Sequence, residues 1–355
     1  MRHTRRNVPF ITLCALLAFA GSPGRAADSL TVFDWSGYEA DSLHPAYAAQ
    51  HGGAPNFSYF ADEEEGLQKL KAGFKADVAH PCSQSIPKWQ AAGVLDPIDT
   101  SRVKEWNNII PELAHLKGFT DTGDGKTWVM PYDWGQTMLV YNSTAVKPEE
   151  LASIRNLTDP KFAGAISIGD NVSDAYALAS LAIGMKDWNS MSDEQFKQAS
   201  EWLRALHKNV KFYWSDPTQV AQSLASGEVK IAWAWNETLS TLQNDGQPAA
   251  RAATQEGDTS WVCGYVLLKG GDGSRDLAYD FLNAALDPAV SPTLMNDWGY
   301  GHGNGAGMAA IPADTLKAKG FTGLEGLKGS LMQSPLPLEL SERMSAEFER
   351  IKAGY

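Results

Sequence analysis

Four tryptophans stand at or near the ends of short apolar runs: Trp35 in LTVFDWSGY, Trp134 in VMPYDWGQTMLVY, Trp235 in VKIAWAWNETL and Trp261 in SWVCGYVLLKG. The face of an indole ring attracts cations through its quadrupole, so aromatic faces gathered in one cleft make a seat for a small organic cation. Competing chemistries have weaker support. An exported hydrolase would need a G-x-S-x-G elbow, an H-E-x-x-H helix or a paired-acid arrangement, and none is present. His80 and His302 lack the spacing of helical metal ligands, so no metal or other cofactor is expected and a ferric-ion or other metal receptor is a weaker rival. The Gly-rich stretch at 299–307 lacks the Lys-Ser/Thr ending of a phosphate loop and reads as an inter-lobe connection. No catalytic residue is assigned.

The elements that must position these aromatics alternate between strand-like and helix-like patterns, the grammar of βαβ construction. Strands are expected at 30–34, 76–79, 165–168, 210–213 and 230–235, several followed at once by polar or small residues. Open α/β sheets bind ligands at the carboxyl ends of their strands, which is where these tryptophans fall. Residues 62–74 read as a helix with Leu67 and Leu70 on one face, and Glu63-Glu64-Glu65 as its solvated first turn, favoured by the helix dipole. Ser192 with Gln195 forms a capping box for the next long helix, which carries Trp202 on its core stripe. Trp233 is read as core, alternating with Trp235 across the strand. Residues 128–141 and 261–269 are long extended segments suited to crossing between two lobes as a hinge. Two lobes joined by several crossings form a cleft that closes on ligand.

Arg2, Arg5 and Arg6, an apolar stretch at 10–20 too short to span a bilayer, and Gly24-Arg25-Ala26 predict a cleaved signal peptide over residues 1–26. Its removal takes four arginines and no acid, so the net charge of −12 becomes −16. That balance excludes the basic face a nucleic-acid binder needs. Cys82 and Cys263 then remain, open to one disulfide or to two free thiols.

The segments Asp34-Trp35-Ser36-Gly37-Tyr38, Pro131-Tyr132-Asp133-Trp134-Gly135 and Trp235-Asn236 recur here in a telling order. So do Trp261, Gly299-Tyr300 with Asn304, and the amphipathic C-terminal helix. Together they resemble the bacterial periplasmic polyamine-binding proteins, the solute receptors of ABC importers for spermidine and putrescine, over essentially the whole mature chain. The resemblance implies an α/β, two-lobed periplasmic-binding-protein fold of the type II-like Venus-flytrap kind, with hinge crossovers between the lobes. Lobe 1 would comprise 27–135 plus 261–303, and lobe 2 would comprise 136–260 plus 304–355. It implies a monomeric periplasmic receptor with no enzymatic activity, whose partners are inner-membrane ABC permease subunits. A receptor feeding a chemosensor would look the same in sequence.

Carried over by resemblance, Trp35, Tyr38, Trp235 and Trp261 fall on ligand-contacting aromatic positions and Asp174 on an acidic one. Trp134, Trp298 and Tyr300 extend the aromatic set, and Asp133 is a further candidate acid. Four positions depart from the family pattern. An acid is replaced by Gly37, a second by Asn171 and a third by Cys263, while the serine after the third strand is Cys82, followed by Ser83. Cys82, Ser83, Asn171 and Cys263 are thus expected at the cleft. A buried diammonium needs a partner at each end, because an unpaired buried charge costs several kcal/mol, by rough estimate. Aromatics without enough carboxylates suit one cationic head, so an onium or betaine-like, possibly zwitterionic ligand is expected, with a true spermidine/putrescine receptor as the alternative.

Overall fold

The computed structural model describes residues 29–120, 122–319, 321 and 330–355; the signal-peptide reading of residues 1–26 lies outside them. The strands, in chain order, are β1 (Thr31–Asp34), β2 (Asn56–Tyr59), β3 (Val78–Ala79), β4 (Leu95–Asp96), β5 (Met130–Asn142) and β6 (Ile166–Gly169). They continue with β7 (Val210–Trp214), β8 (Ile231–Trp235), β9 (Ala249–Arg251), β10 (Thr259–Leu268), β11 (Gly301–His302) and β12 (Leu331–Met332).

Eight of them lie in the order β2-β1-β3-β10-β5-β8-β6-β7, while β4 and β12 pair with β10 and β9 and β11 with β5. At one end β1 lies parallel to β2 and β3; at the other β6 lies parallel to β7 and β8. Between them β10 runs antiparallel to β3 and β5, and β5 antiparallel to β8. Two parallel α/β units are therefore joined through the two longest strands, which are the expected hinge crossovers. Side chains of β10 are buried along its whole length, and those of β5 nearly so. This is the reason both read as apolar rather than alternating. A register shift between Cys263 and Gly264 interrupts their pairing. Gly264 is required there, since a Cβ would come within 2.4 Å of the Met130 carbonyl oxygen.

Each unit has its own core. One is built from residues within 30–134 and 261–321, with Phe33, Trp89, Tyr265 and Phe281 fully covered. The other is built from residues within 139–252 and 331–351, with a smaller cluster around Trp214 and Val220 beside it. The C-terminal tail expected wholly in lobe 2 is thus divided: Ile311 and Phe321 join the first core, and Leu331 onward joins the second.

Local rules explain the helices that matter here. Ser192 and Gln195 form the expected reciprocal capping box on Asp193–His207. Asn171 caps Val172–Ala182, its Oδ1 accepting the Asp174 N–H at 2.9 Å, which satisfies an otherwise orphan donor. Trp233 is fully buried, as expected, but the reason differs. Residues two apart on a strand share a face, so Trp233 and Trp235 do not alternate. They differ in depth: Trp233 is mid-strand opposite Leu139, whereas Trp235 is the last residue of β8 and reaches the cleft.

Candidate ligand-binding site

The carboxyl ends of β1, β3, β6 and β8 converge on the seam between the two units. There they line a cleft, partly open to solvent, with about 390 Å³ of atom-free space. Trp35, Tyr38, Trp235, Trp261 and Tyr300 supply its aromatic walls. Trp35 meets Trp235 edge-to-face at 5.7 Å, and Trp261 meets Tyr300 in the same manner at 4.9 Å. The Trp35 indole N–H donates to the His80 carbonyl at 2.8 Å, fixing that ring. Gly135 makes room for Trp261, since a Cβ at 135 would lie 2.5 Å from its Cζ2.

Asp174 lines the cavity from the first turn of Val172–Ala182, where the helix dipole favours its charge. Its Oδ1 accepts from Thr137 Oγ1 at 2.8 Å and from Gln333 Nε2 at 2.7 Å, and its Oδ2 accepts from Trp235 Nε1 at 2.6 Å. Burial raises its pKa from the usual carboxylate value, against the lowering effect of those three hydrogen bonds.

A second acid, Glu63, also lines the cavity and is 2% exposed. Its Oε1 accepts from Gln84 Nε2 at 2.7 Å and its Oε2 from Asn171 Nδ2 at 3.2 Å, the latter across the seam. Burial, then the neighbouring Asp62 carboxylate, raise its pKa well above the usual range. The expected solvated first turn is therefore corrected at Glu63. Four residues before Leu67 and seven before Leu70, Glu63 lies on the helix's buried stripe, while Glu64 and Glu65 face outward.

Nine of the residues expected at the cleft line it: Trp35, Tyr38, Cys82, Asn171, Asp174, Trp235, Trp261, Cys263 and Tyr300. Cys82 and Cys263 are disulfide-bonded. Ser83 lies behind this wall, donating to the Gln333 carbonyl at 2.6 Å. Gln84 and Gln333, lining residues with no motif around them, complete the polar set.

Besides Ser83, three expected contacts lie elsewhere. Trp134 packs on Phe321 with ring centroids 4.4 Å apart, and its N–H reaches the His302 carbonyl at 3.3 Å. Trp298 is half-buried against the first core and does not line the cavity. Asp133 is fully buried behind Tyr38, with Oδ1 3.1 Å from His80 Nε2 and Oδ2 accepting from the Tyr38 hydroxyl. His80 Nδ1 lies 2.8 Å from Asp34 Oδ1, and Asp34 Oδ2 accepts from Tyr265 at 2.9 Å. Burial would lower the His80 pKa, but Asp34 and Asp133 outweigh it and raise the value to about 9. His80 is therefore an imidazolium clamped between two carboxylates, and Asp133 serves that clamp rather than the cleft.

A two-unit α/β fold with an aromatic and acidic cavity at the seam is the architecture of a solute receptor. The model of the bacterial extracellular solute-binding protein family matches residues 43–315, and the chain belongs to that family. Among curated relatives, the spermidine/putrescine-binding periplasmic protein of Escherichia coli is 23% identical over 343 residues, covering 95% of this chain and 96% of its own. The Escherichia coli putrescine-binding periplasmic protein PotF is 25% identical over 326 residues, covering 86% of each. The fold matches the solved Tp0655 (TpPotD) lipoprotein of Treponema pallidum with a TM-score of 0.75 at 19% identity, covering 92% of this chain and 99% of that one. The chain is thus a bacterial extracellular solute-binding protein, a binding class rather than an enzyme class.

Proposed function

We propose that this protein captures a small organic cation of polyamine-like or single-headed onium type in the periplasm, after loss of its signal peptide, and presents it to the permease of an ABC importer. The observation that carries this reading is the convergence of five aromatic side chains with Asp174 on one interlobe cavity that has no basic residue among its described lining residues. Closure of the lobes around a cation is favoured by contacts available only in the closed state, such as those of Trp35 from one unit and Trp235 from the other.

The names of the relatives favour an amine, spermidine or putrescine, over an onium compound. The buried Glu63 supports the same direction, because the one-head reading counted only Asp174 and, as a candidate, Asp133 at the cleft, and Glu63 supplies an acid it left out. Thermal-shift measurements with putrescine, spermidine, glycine betaine and choline test the reading. A raised Tm with at least one cation is expected; no shift with any cation, but one with neutral sugars or anions, refutes it.

A further inference from the structure

Two residues lining the cavity each hold a polar atom that is buried and has no hydrogen-bond partner among the described residues: Gln84 Oε1 and Trp261 Nε1. Gln84 is 5% exposed and Trp261 is 6% exposed, so water cannot readily serve either atom when the lobes are closed. One is an acceptor and the other a donor. Buried polar groups in folded proteins are nearly always paired, so an unpaired acceptor and an unpaired donor in one ligand cavity describe the ligand's own polarity.

We infer that the ligand is a primary amine that also carries a neutral hydrogen-bond acceptor, its ammonium N–H groups seated by Glu63 and Gln84 and its acceptor by the Trp261 indole N–H. The inference rests on the small-cation reading above and narrows it. Gln84 Nε2 donates to Glu63 Oε1 at 2.7 Å, so the carboxyl group and the unpaired carboxamide oxygen belong to one bonded pair of lining residues. A quaternary onium head has no N–H and leaves Gln84 Oε1 unpaired. A bare diamine has no acceptor and leaves the Trp261 N–H unpaired. A ligand carboxylate would satisfy Trp261, but it would meet the acidic groups of Glu63 and Asp174, and the described lining residues include no lysine, arginine or histidine to pair it. A hydroxyl or amide oxygen meets the need without that repulsion.

Glu63 also bonds Asn171 across the seam, so the residue that reads the ammonium belongs to the contact that holds the lobes together. It acts as a specificity determinant coupled to closure, which Asp174, held by three donors of its own, does not.

Isothermal titration calorimetry with 4-aminobutanamide, its N,N,N-trimethyl analogue and 1,4-diaminobutane tests this on the wild type, Glu63→Gln and Trp261→Phe. Circular dichroism and thermal melts confirm that each variant folds. Wild-type protein should bind the amide at least tenfold more tightly than either comparison compound, the scale expected for a hydrogen bond to a charged group. Glu63→Gln should shrink the penalty of N-methylation, and Trp261→Phe the penalty of lacking the acceptor. Equal affinity for the amide and its trimethyl analogue, tighter binding of the diamine, or ratios unmoved by both substitutions overturn this inference and leave the small-cation reading standing. Binding of none of the three, together with a negative cation series in the thermal-shift test, removes both.

Discussion

Replacing His80 by Asn should both weaken the fold and change the pH at which it weakens. In the wild type, a fully buried imidazole lies within 3.1 Å of two fully buried carboxylates, Asp34 and Asp133. Its pKa rises from 6.5 to about 9 on folding. The folded state therefore favours the protonated form. The stabilisation it contributes is complete below pH 6.5, the value for the unfolded chain, and is lost as pH climbs through 9. The rise corresponds to roughly 3 kcal/mol, an order-of-magnitude figure. In the Asn variant the two carboxylates are left without their cation, a change that typically costs about 3–5 kcal/mol. Urea unfolding of both proteins between pH 5.5 and 9.5 separates the effects. Glu63 and Glu237, whose pKa values are also raised by burial, weaken both proteins alike as pH rises. The difference between the two stability curves isolates His80: largest near pH 6 and narrowing towards pH 9.5. A constant difference across that range would show that His80 is neutral in the folded protein and that the clamp is not ionic.

Asp174→Asn should lower affinity for any cationic ligand by one to two orders of magnitude in calorimetry, while stability changes little, since a buried carboxylate with a raised pKa is itself a cost to the fold. Gly135→Ala should force the Trp261 ring from its place, with about 1–3 kcal/mol of overpacking and a measurable loss of ligand affinity; unchanged affinity and Tm would show that the wall yields freely. Thiol titration of the denatured, unreduced mature protein should find no free cysteine. The paired Cys82→Ser, Cys263→Ser variant should lose at most about 5 kcal/mol, because the bond closes a loop with a sequence separation of 181 between the segment after β3 and β10, which are already hydrogen-bonded to each other.

Much of the scaffold was legible because it depends on local periodicity. Apolar runs marked β1, β6 and β8, and the polar or small residues after them marked the cleft. The long runs that became β5 and β10 stood out because strands buried on both faces are apolar throughout. Periodicity made the site legible at strand ends such as Trp35 and Trp235, while Tyr38, Asp174 and Tyr300 were reached only through the family resemblance. Asp133 follows a strand pattern that does not say which charge it will meet, and His80, 53 residues earlier in the chain, decides that. Glu63 carried a usable signal, its spacing from Leu67 and Leu70, which the run of three glutamates masked. Gln333 carried none: it reaches Asp174 across 159 residues of sequence, a contact that only the assembled fold creates.

The place of β10 in the sheet has a consequence for how the chain folds. It is formed by residues 259–268, yet it sits between β3 and β5, which precede it by more than a hundred residues in sequence. The first unit therefore cannot complete its sheet until about three quarters of the polypeptide has been made. Until then β3 and β5 present open edges, and the pairing that joins them must wait for a distant segment. Such non-local closure slows folding and prolongs the time a chain spends open to chaperones and to any machinery that handles extended polypeptides. The same strand that lines the cavity with Trp261 and Cys263 thus sets the moment at which this protein can first become compact.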